Sequence, residues 1–412
     1  MAFSITTQPL EYSPVYNTLD YSVYDSTYAG KVDFKYVFDL YVDGVLVNTT
    51  KLYPRTGGYC IYNPSKIIQD YVSAAYNPAL TDYALANTVE LVTYYVVFKT
   101  EYIVGGVETT YTMETGETKM AWNAAATFMD SMNLATYVAK FEPALTGDIE
   151  FLNIKETGTN GHMIPILDNE YRNASMIYKT TNDEYLINQI EVSTSSGKIF
   201  TNPITHTGAT KLYDIMHYGI GIPQLNAVTW DQMVLPPSVD ITINVTDDSW
   251  YQVKFQHTGG TPDVIDIMKP LKFQIKDHTC QHNNVYTLAY QSPNGGFGYV
   301  PIFARNDFNI AVAKQTYKSN LTYPLNTQRE HVVFNNQAQR GLVANTNWLL
   351  TQNQIEEVMD CIASPRVYLV YGTIEIPVNI NDSTYKHSQK KYDKMVQYTL
   401  EITYAFDEFL IK

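Results

Sequence analysis

Polar and apolar positions alternate along much of this chain, and the clearest run lies near its C-terminus. Val396, Tyr398, Leu400, Ile402, Tyr404 and Phe406 fall on one face of an extended segment, with Gln397, Thr399, Glu401 and Thr403 on the other. A period of two is that of a half-buried strand. Ahead of it, Val367 to Val370, Gly372 and Ile374 to Ile380 read as a hairpin with Gly at the turn. The period changes before that hairpin, where Ile355, Val358, Met359 and Ile362 recur at helical spacing. Thr351-Gln352-Asn353-Gln354 has the form of a capping box, the Thr hydroxyl accepting from a free helix N–H while Gln354 reaches back. Ser364-Pro365 ends this helix, predicted over 351–363, because Pro disfavours helical backbone at the residue before it.

The N-terminal part carries the sharpest hairpin. Phe34 to Val42 runs into Asp43-Gly44, a dipeptide suited to a two-residue turn, and continues in Val45-Leu46-Val47. Asn63-Pro64-Ser65 supplies a cap and a first-turn Pro for a short helix bearing Ile67, Ile68, Tyr71 and Val72, which ends before Asn77-Pro78. A second hairpin pairs Val89–Tyr102 with Val107–Met113 through Gly105-Gly106, and Trp122 to Met129 reads as a short helix. Further on, Ser175–Tyr178 and Tyr185–Val192 are expected strands and Lys211–His217 a short helix, before Gly219-Ile220-Gly221-Ile222-Pro223. Pro236-Pro237 is the best boundary, since two prolines remove donors and stiffen the chain. Strands are then predicted at Val239–Val245, Trp250–Phe255, Leu271–Ile275, Val285–Tyr290 and Val300–Phe303. The fold class is therefore mostly β, antiparallel sandwich-like domains with a few short helices, a β-rich α+β arrangement. The expected division is a sandwich-like domain over 1–140, an irregular β-rich middle region over 141–236 and a C-terminal β domain over 237–412 holding the capped helix.

Composition changes this picture in one respect. Only 17% of residues are charged, so the polar surface must come from Thr, Asn, Ser, Gln and Tyr. Tyr, at 35 copies against 16 Phe, offers a large contact area and a hydroxyl for a wet edge, which suits interfaces. It is equally at home in strands. The formal charge of −14 argues against direct nucleic-acid binding, which depends on clustered Lys and Arg. The nearest basic run, Lys386-His387 with Lys390, Lys391 and Lys394, reads as a solvated loop and strand start. No apolar run approaches the ~20 residues of a membrane span. Met1 to Leu10 lacks the basic start and apolar centre of a signal peptide, so the chain is expected to fold in a cytoplasm. Cys60, Cys280 and Cys361 are too few and scattered for a disulfide framework.

Candidate chemistry is sparse, and each instance has a simpler account. His278, Cys280 and His282 alternate, but donors ~7 Å apart along one strand diverge and cannot close around one ion. Asp247-Asp248 beside Trp250 and Tyr251 has the composition of a carboxylate next to a sugar-stacking ring, and equally that of a turn ahead of a strand. Gly295-Gly296-Phe297-Gly298 lacks the Lys-Ser/Thr of a phosphate cradle and reads as a tight turn presenting Phe297. No Ser-His-Asp set follows from spacing. The Asn-x-Ser/Thr triplets at Asn48, Asn173, Asn244, Asn320 and Asn381 are expected by chance in a chain this rich in Asn and Thr. No catalytic, cofactor-binding or metal residue is assigned, and no cofactor is expected.

Three separated segments carry a resemblance. They are Phe34-Lys35-Tyr36-Val37-Phe38-Asp39-Leu40-Tyr41-Val42-Asp43-Gly44; Tyr286-Thr287-Leu288-Ala289-Tyr290 leading to Asn294-Gly295-Gly296-Phe297; and a closing group. That group comprises the Asn347-Trp348-Leu349-Leu350 helix, the Ser364-Pro365-Arg366-Val367 stop and the Ile376-Pro377-Val378-Asn379-Ile380 strand. In this order they resemble virion structural proteins of tailed bacteriophages of Bacteroidota, the crAss-like phages among them: tail, ring or baseplate components. Phe141 to Pro236 contributes little to the likeness. The resemblance implies a non-enzymatic protein of the virion tail, a homo-oligomeric ring around the tail axis in contact with neighbouring tail proteins. The alternatives are a glycan-binding tail adhesin or a tail-borne glycan hydrolase. Either would concentrate Trp and carboxylates in one segment, whereas Trp122, Trp230, Trp250 and Trp348 are dispersed.

Overall fold

A computed structural model describes residues 3–74, 84–86, 89–142, 149–158, 162–179, 187–204, 213–236, 241–258, 264–277, 285–304, 306–319, 331–346, 348–371, 374–381, 396–406 and 409–411. The chain is mostly β: of the described residues 54% lie in strands and 12% in helices.

In the N-terminal part a six-stranded sheet runs in the order Tyr12–Pro14, Lys119–Trp122, Leu91–Val104, Val32–Val42, Val45–Leu52, with Val107–Thr115 also paired to Leu91–Val104. A three-stranded sheet of Phe3–Thr7, Tyr21–Asp25 and Tyr59–Tyr62 packs over it. Tyr21, Val23, Cys60 and Tyr62 from one sheet meet Tyr36, Phe38, Val96 and Phe98 from the other in a common core. The Asp43-Gly44 turn forms as expected, both residues at positive φ, 47° and 81°. Asn63 acts as a cap, its Oδ1 accepting from Ser65 N at 3.0 Å, for a helix that is short: Ser65–Ile68 and one further 3₁₀ turn. Asn77-Pro78 lies outside the described residues. The expected helix at Trp122–Met129 is displaced. Trp122 ends a strand, and the helix is Phe128–Ser131, capped by Thr127, whose hydroxyl accepts from Asp130 N at 3.2 Å.

The middle sheet has seven strands in the order Ile164–Leu167, Leu271–Lys276, Trp250–Thr258, Gln189–Thr194, Ile199–Pro203, Gln232–Val234, with Val264–Asp266 beside Trp250–Thr258. It takes strands from both sides of Pro236. A three-stranded sheet pairs Asn173–Lys179 with Tyr213–Gly219 and then Ala84–Ala86. The helix expected over Lys211–His217 is therefore a strand where it is described. Residues 214–220 are buried without a break, and a strand covered on both faces shows no alternation to separate it from a buried helix. The strand expected at Val239–Val245 is not formed over 241–245. There Asn244 Oδ1 accepts from Asp247 N at 2.8 Å, and Asp248 N donates to Asn244 O at 2.9 Å, so a local turn satisfies the backbone instead.

The C-terminal sheet has eight strands, ordered Phe297–Ile302, Tyr286–Gln291, Val367–Tyr371, Ile374–Ile380, Thr399–Tyr404, His331–Asn345, Asn306–Lys318, with Phe409–Ile411 also on His331–Asn345. Only residues 303–305 join the strands at its two ends, so the sheet curls round its core; Tyr286 and Phe308 touch across the gap, ring centroids 5.9 Å apart. Tyr398, Leu400, Ile402 and Tyr404 are buried as the alternation requires. The strand stops at Tyr404, leaving Phe406 exposed, while Val396 pairs with Leu349 as an isolated bridge. Trp348–Leu350 are thus extended rather than helical, and the helix begins at Gln352 and ends at Ala363. Its capping box is complete: Thr351 Oγ1 accepts from Gln354 N at 3.2 Å and Gln354 Oε1 from Thr351 N at 3.5 Å. The helix also holds the middle region. Glu357 Oε1 accepts from Lys155 N and Glu156 N, at 2.9 and 3.1 Å, and Thr351 donates to Glu156 Oε2 at 2.5 Å.

Candidate interaction surface

The two strands Asn306–Lys318 and His331–Asn345, 13 and 15 residues long, form an arm that the sequence reading did not anticipate. At its base Leu342 and Ala344 belong to the core. Opposite residues in an antiparallel pair share a face. Phe308 lies opposite Leu342, Ile310 opposite Arg340, Val312 opposite Ala338 and Lys314 opposite Asn336, so the core face continues outward along the arm. Little among the described residues covers it there: Phe308, Ile310 and Val312 are 49, 56 and 52% exposed. Among the described residues nothing pairs with the outer edge of Asn306–Lys318. An exposed edge strand of ~40 Å with apolar side chains on one face is a template for another strand.

A second open edge belongs to Val107–Thr115. Val107 lies opposite Val104, Thr109 opposite Tyr102, Tyr111 opposite Thr100 and Glu114 opposite Phe98, Met113 being the extra residue of a bulge. Val107, Thr109, Tyr111 and Glu114 therefore share the face that holds Phe98. Val107 and Tyr111 are exposed, Tyr111 stacking on Tyr102 with centroids 5.0 Å apart. On the opposite face Glu108 meets Lys35 at 2.7 Å and Glu101 meets Lys51 at 2.8 Å, the Lys51 ammonium holding the Glu101 carboxyl below its usual range. Phe128 and Met129 on the short helix and Met132 just after it are a further set of exposed apolar residues.

A cavity of about 550 Å³ opens where residues 72–74, 123–125, 291–293, Asp360 and 363–366 converge. Arg366 donates from Nη1 to Ala74 O at 3.1 Å, and Ser364 Oγ donates to Gln291 O at 3.0 Å. Asp360 meets Lys155 Nζ at 2.6 Å, and burial raises its carboxyl above the ordinary value.

Asp248 is buried and bound by Lys198 Nζ at 2.8 Å and Ser196 Oγ at 2.6 Å; Asp247 closes the turn with Asn244. The Trp250 ring is covered by Lys272 Nζ, 4.0 Å from its centroid, Trp122 is buried, Trp230 packs on Phe200, and Trp348 is exposed. His278, Cys280, His282, the basic run at 386–394, Gly372 and Asn320 lie outside the described residues. Cys60 and Cys361 are buried free thiols. Gly295 and Gly296 form the expected turn, with φ of 115° and 68°, but Phe297 is buried rather than presented. A Cβ on Gly296 would lie 2.5 Å from Ser175 Oγ, so close packing is what this glycine permits. Asn173 is buried, its Oδ1 accepting from Gln224 Nε2 at 2.7 Å. No helix among the described residues is long and apolar enough to cross a membrane.

Spacing pointed to no Ser-His-acid set, yet the fold assembles one. Ser175 Oγ lies 2.8 Å from His217 Nδ1, and His217 Nε2 lies 3.1 Å from Glu90 Oε2. Ser175 and Glu90 have no exposed surface and Gly296 packs against the hydroxyl, so a carbonyl cannot come within the ~3–3.5 Å that attack requires. The set is a hydrogen-bonded tie between the three-stranded sheet and the turn before Leu91. No protein-family model matches this chain, and no curated protein matches it.

Proposed function

We propose that this chain is a non-enzymatic structural protein of a tailed-bacteriophage virion, folded in the host cytoplasm and self-associating as a ring or baseplate component of the tail beside other tail proteins. The observation that carries the self-association is the arm, whose Phe308, Ile310 and Val312 extend a core face into solvent along an open strand edge. Monomeric proteins manage such edges by shortening, twisting or charging them, whereas a stable interface covers them within ~1,200–2,000 Å² of buried surface. The virion assignment rests on the resemblance of the three segments described above. The glycan-binding alternative has less support, since of the four Trp only Trp348 offers an open ring.

Native mass spectrometry and sedimentation of the full chain test the first part, with a discrete homo-oligomer expected at micromolar concentration and a monomer throughout refuting it. Imaging of purified particles tests the second: density fitting this fold is expected in the tail, and its absence there defeats the virion reading.

A further inference from the structure

We infer that the outer edge of Asn306–Lys318 pairs, in parallel, with the outer edge of Val107–Thr115 in a second copy of this chain. The inference rests on the self-association reading and specifies its contact. Both edges are open among the described residues, and each strand carries accessible apolar groups, Phe308, Ile310 and Val312 on one and Val107 and Tyr111 on the other, on the face that its own sheet turns to the core. Their order along the two strands matches. On one, Phe308, Ile310 and Val312 lead to Lys314; on the other, Val107, Thr109 and Tyr111 lead to Glu114, with Met113 absorbed by the bulge. Parallel alignment sets Phe308 beside Val107, Ile310 beside Thr109 and Val312 beside Tyr111, and brings Lys314 next to Glu114. An antiparallel alignment that joined this Lys to this Glu would send the two apolar runs in opposite directions.

Charge supports the same partner. The described strands of the arm carry Lys314, Lys318 and Arg340 against Asp307, within a chain of net charge −14, while Val107–Thr115 offers Glu114; Glu101 and Glu108, on the opposite face of that hairpin, are already paired with Lys51 and Lys35. Lys314 and Glu114 are both exposed, and charge complementarity of this kind fixes register and excludes wrong partners more than it adds affinity. Because the two edges differ, the contact is head to tail: each copy offers one of each, and repetition closes a ring where the rotation allows.

The test uses the full chain with Lys314→Glu, Glu114→Lys and the double variant, each first shown to keep the parent's melting temperature. Each single variant is expected to weaken self-association by about 10-fold or more, because like charges then face each other. The double variant restores it in full, and an equimolar mixture of the two singles restores association between unlike copies, since each junction between them again carries one Lys and one Glu. An oligomer indifferent to both single variants, or a double variant that stays dissociated, overturns this pairing and leaves self-association standing. A monomeric parent overturns both.

Discussion

Arg172 and Glu170 form a buried ion pair, Nη2 lying 2.6 Å from Oε1, where the middle, three-stranded and C-terminal sheets meet. Glu170 Oε2 also accepts from Leu167 N and from Thr287 Oγ1, at 3.2 and 3.0 Å. The guanidinium lies against the rings of Phe273 and Tyr299, 5.7 and 5.3 Å from their centroids. Thr287 and Tyr299 belong to the C-terminal sheet and Phe273 to the middle one, so one polar group ties segments far apart in sequence. Removing one member of such a pair strands the other without water. Arg172→Met is expected to cost about 3–5 kcal/mol in urea unfolding. A loss below ~1 kcal/mol, the scale of a solvent-exposed pair, would show that the junction does not depend on it.

Lys198 and Asp248 make a second such pair, both side chains without exposed surface. Burial pushes the Asp248 carboxyl up, but hydrogen bonds from Lys198, Ser196, Thr194 and Asn244 outweigh it and hold the group below its usual range. A depressed carboxyl contributes stability above its unfolded value, and that contribution is lost as pH falls through the folded one. Asp248→Ala is therefore expected to be destabilised at neutral pH by about 3–5 kcal/mol. The gap to the parent should narrow in acid below the ordinary carboxyl range; melting curves that stay equally separated down to the parent's acid transition would contradict this.

Glu357 behaves in the opposite sense. Burial raises its carboxyl from 4.5 to about 7, against the N–H bonds from Glu156 and Lys155 that favour the anion. The folded chain thus holds a proton that the unfolded chain has already released. Stability from this group is present below pH 4.5 and is lost as pH rises to about 7. Glu357→Gln should abolish that slope and become more stable relative to the parent toward neutral pH. Melting temperatures across this window check it, and a parallel pair of curves would be the contrary result.

The closing helix offers a test of cap and stripe. Thr351→Ala removes the cap and the hydroxyl donated to Glu156, with an expected cost of about 1–2 kcal/mol. Leu400→Ala, in the core that the helix stripe also joins, should cost about 2–5 kcal/mol. Denaturant curves ranking the two in reverse would mean that the cap, rather than the core, secures this end of the chain.

The sequence by itself determined the elements whose signals are local. Asp43-Gly44 sets its turn because the backbone there needs positive φ at both positions. Thr351 and Gln354 set a helix start by satisfying N–H groups three residues apart, and Tyr398 to Tyr404 set a strand because one face is buried and the other wet. The signals failed where burial is symmetric or lacking. Asp214–Gly219 is covered on both faces and loses its alternation. The arm has the period of two at Phe308, Ile310 and Val312, but its Asn, Gln, Ala and Lys neighbours are poor strand formers, and pairing with His331–Asn345 holds it extended. Only the tertiary structure could bring Ser175, His217 and Glu90 together, bury Asp248 on Lys198, or set Arg172 between Phe273 and Tyr299. Those contacts join residues tens to more than a hundred positions apart, and no local propensity encodes them: they exist only once packed sheets exclude water and make every buried charge find its partner.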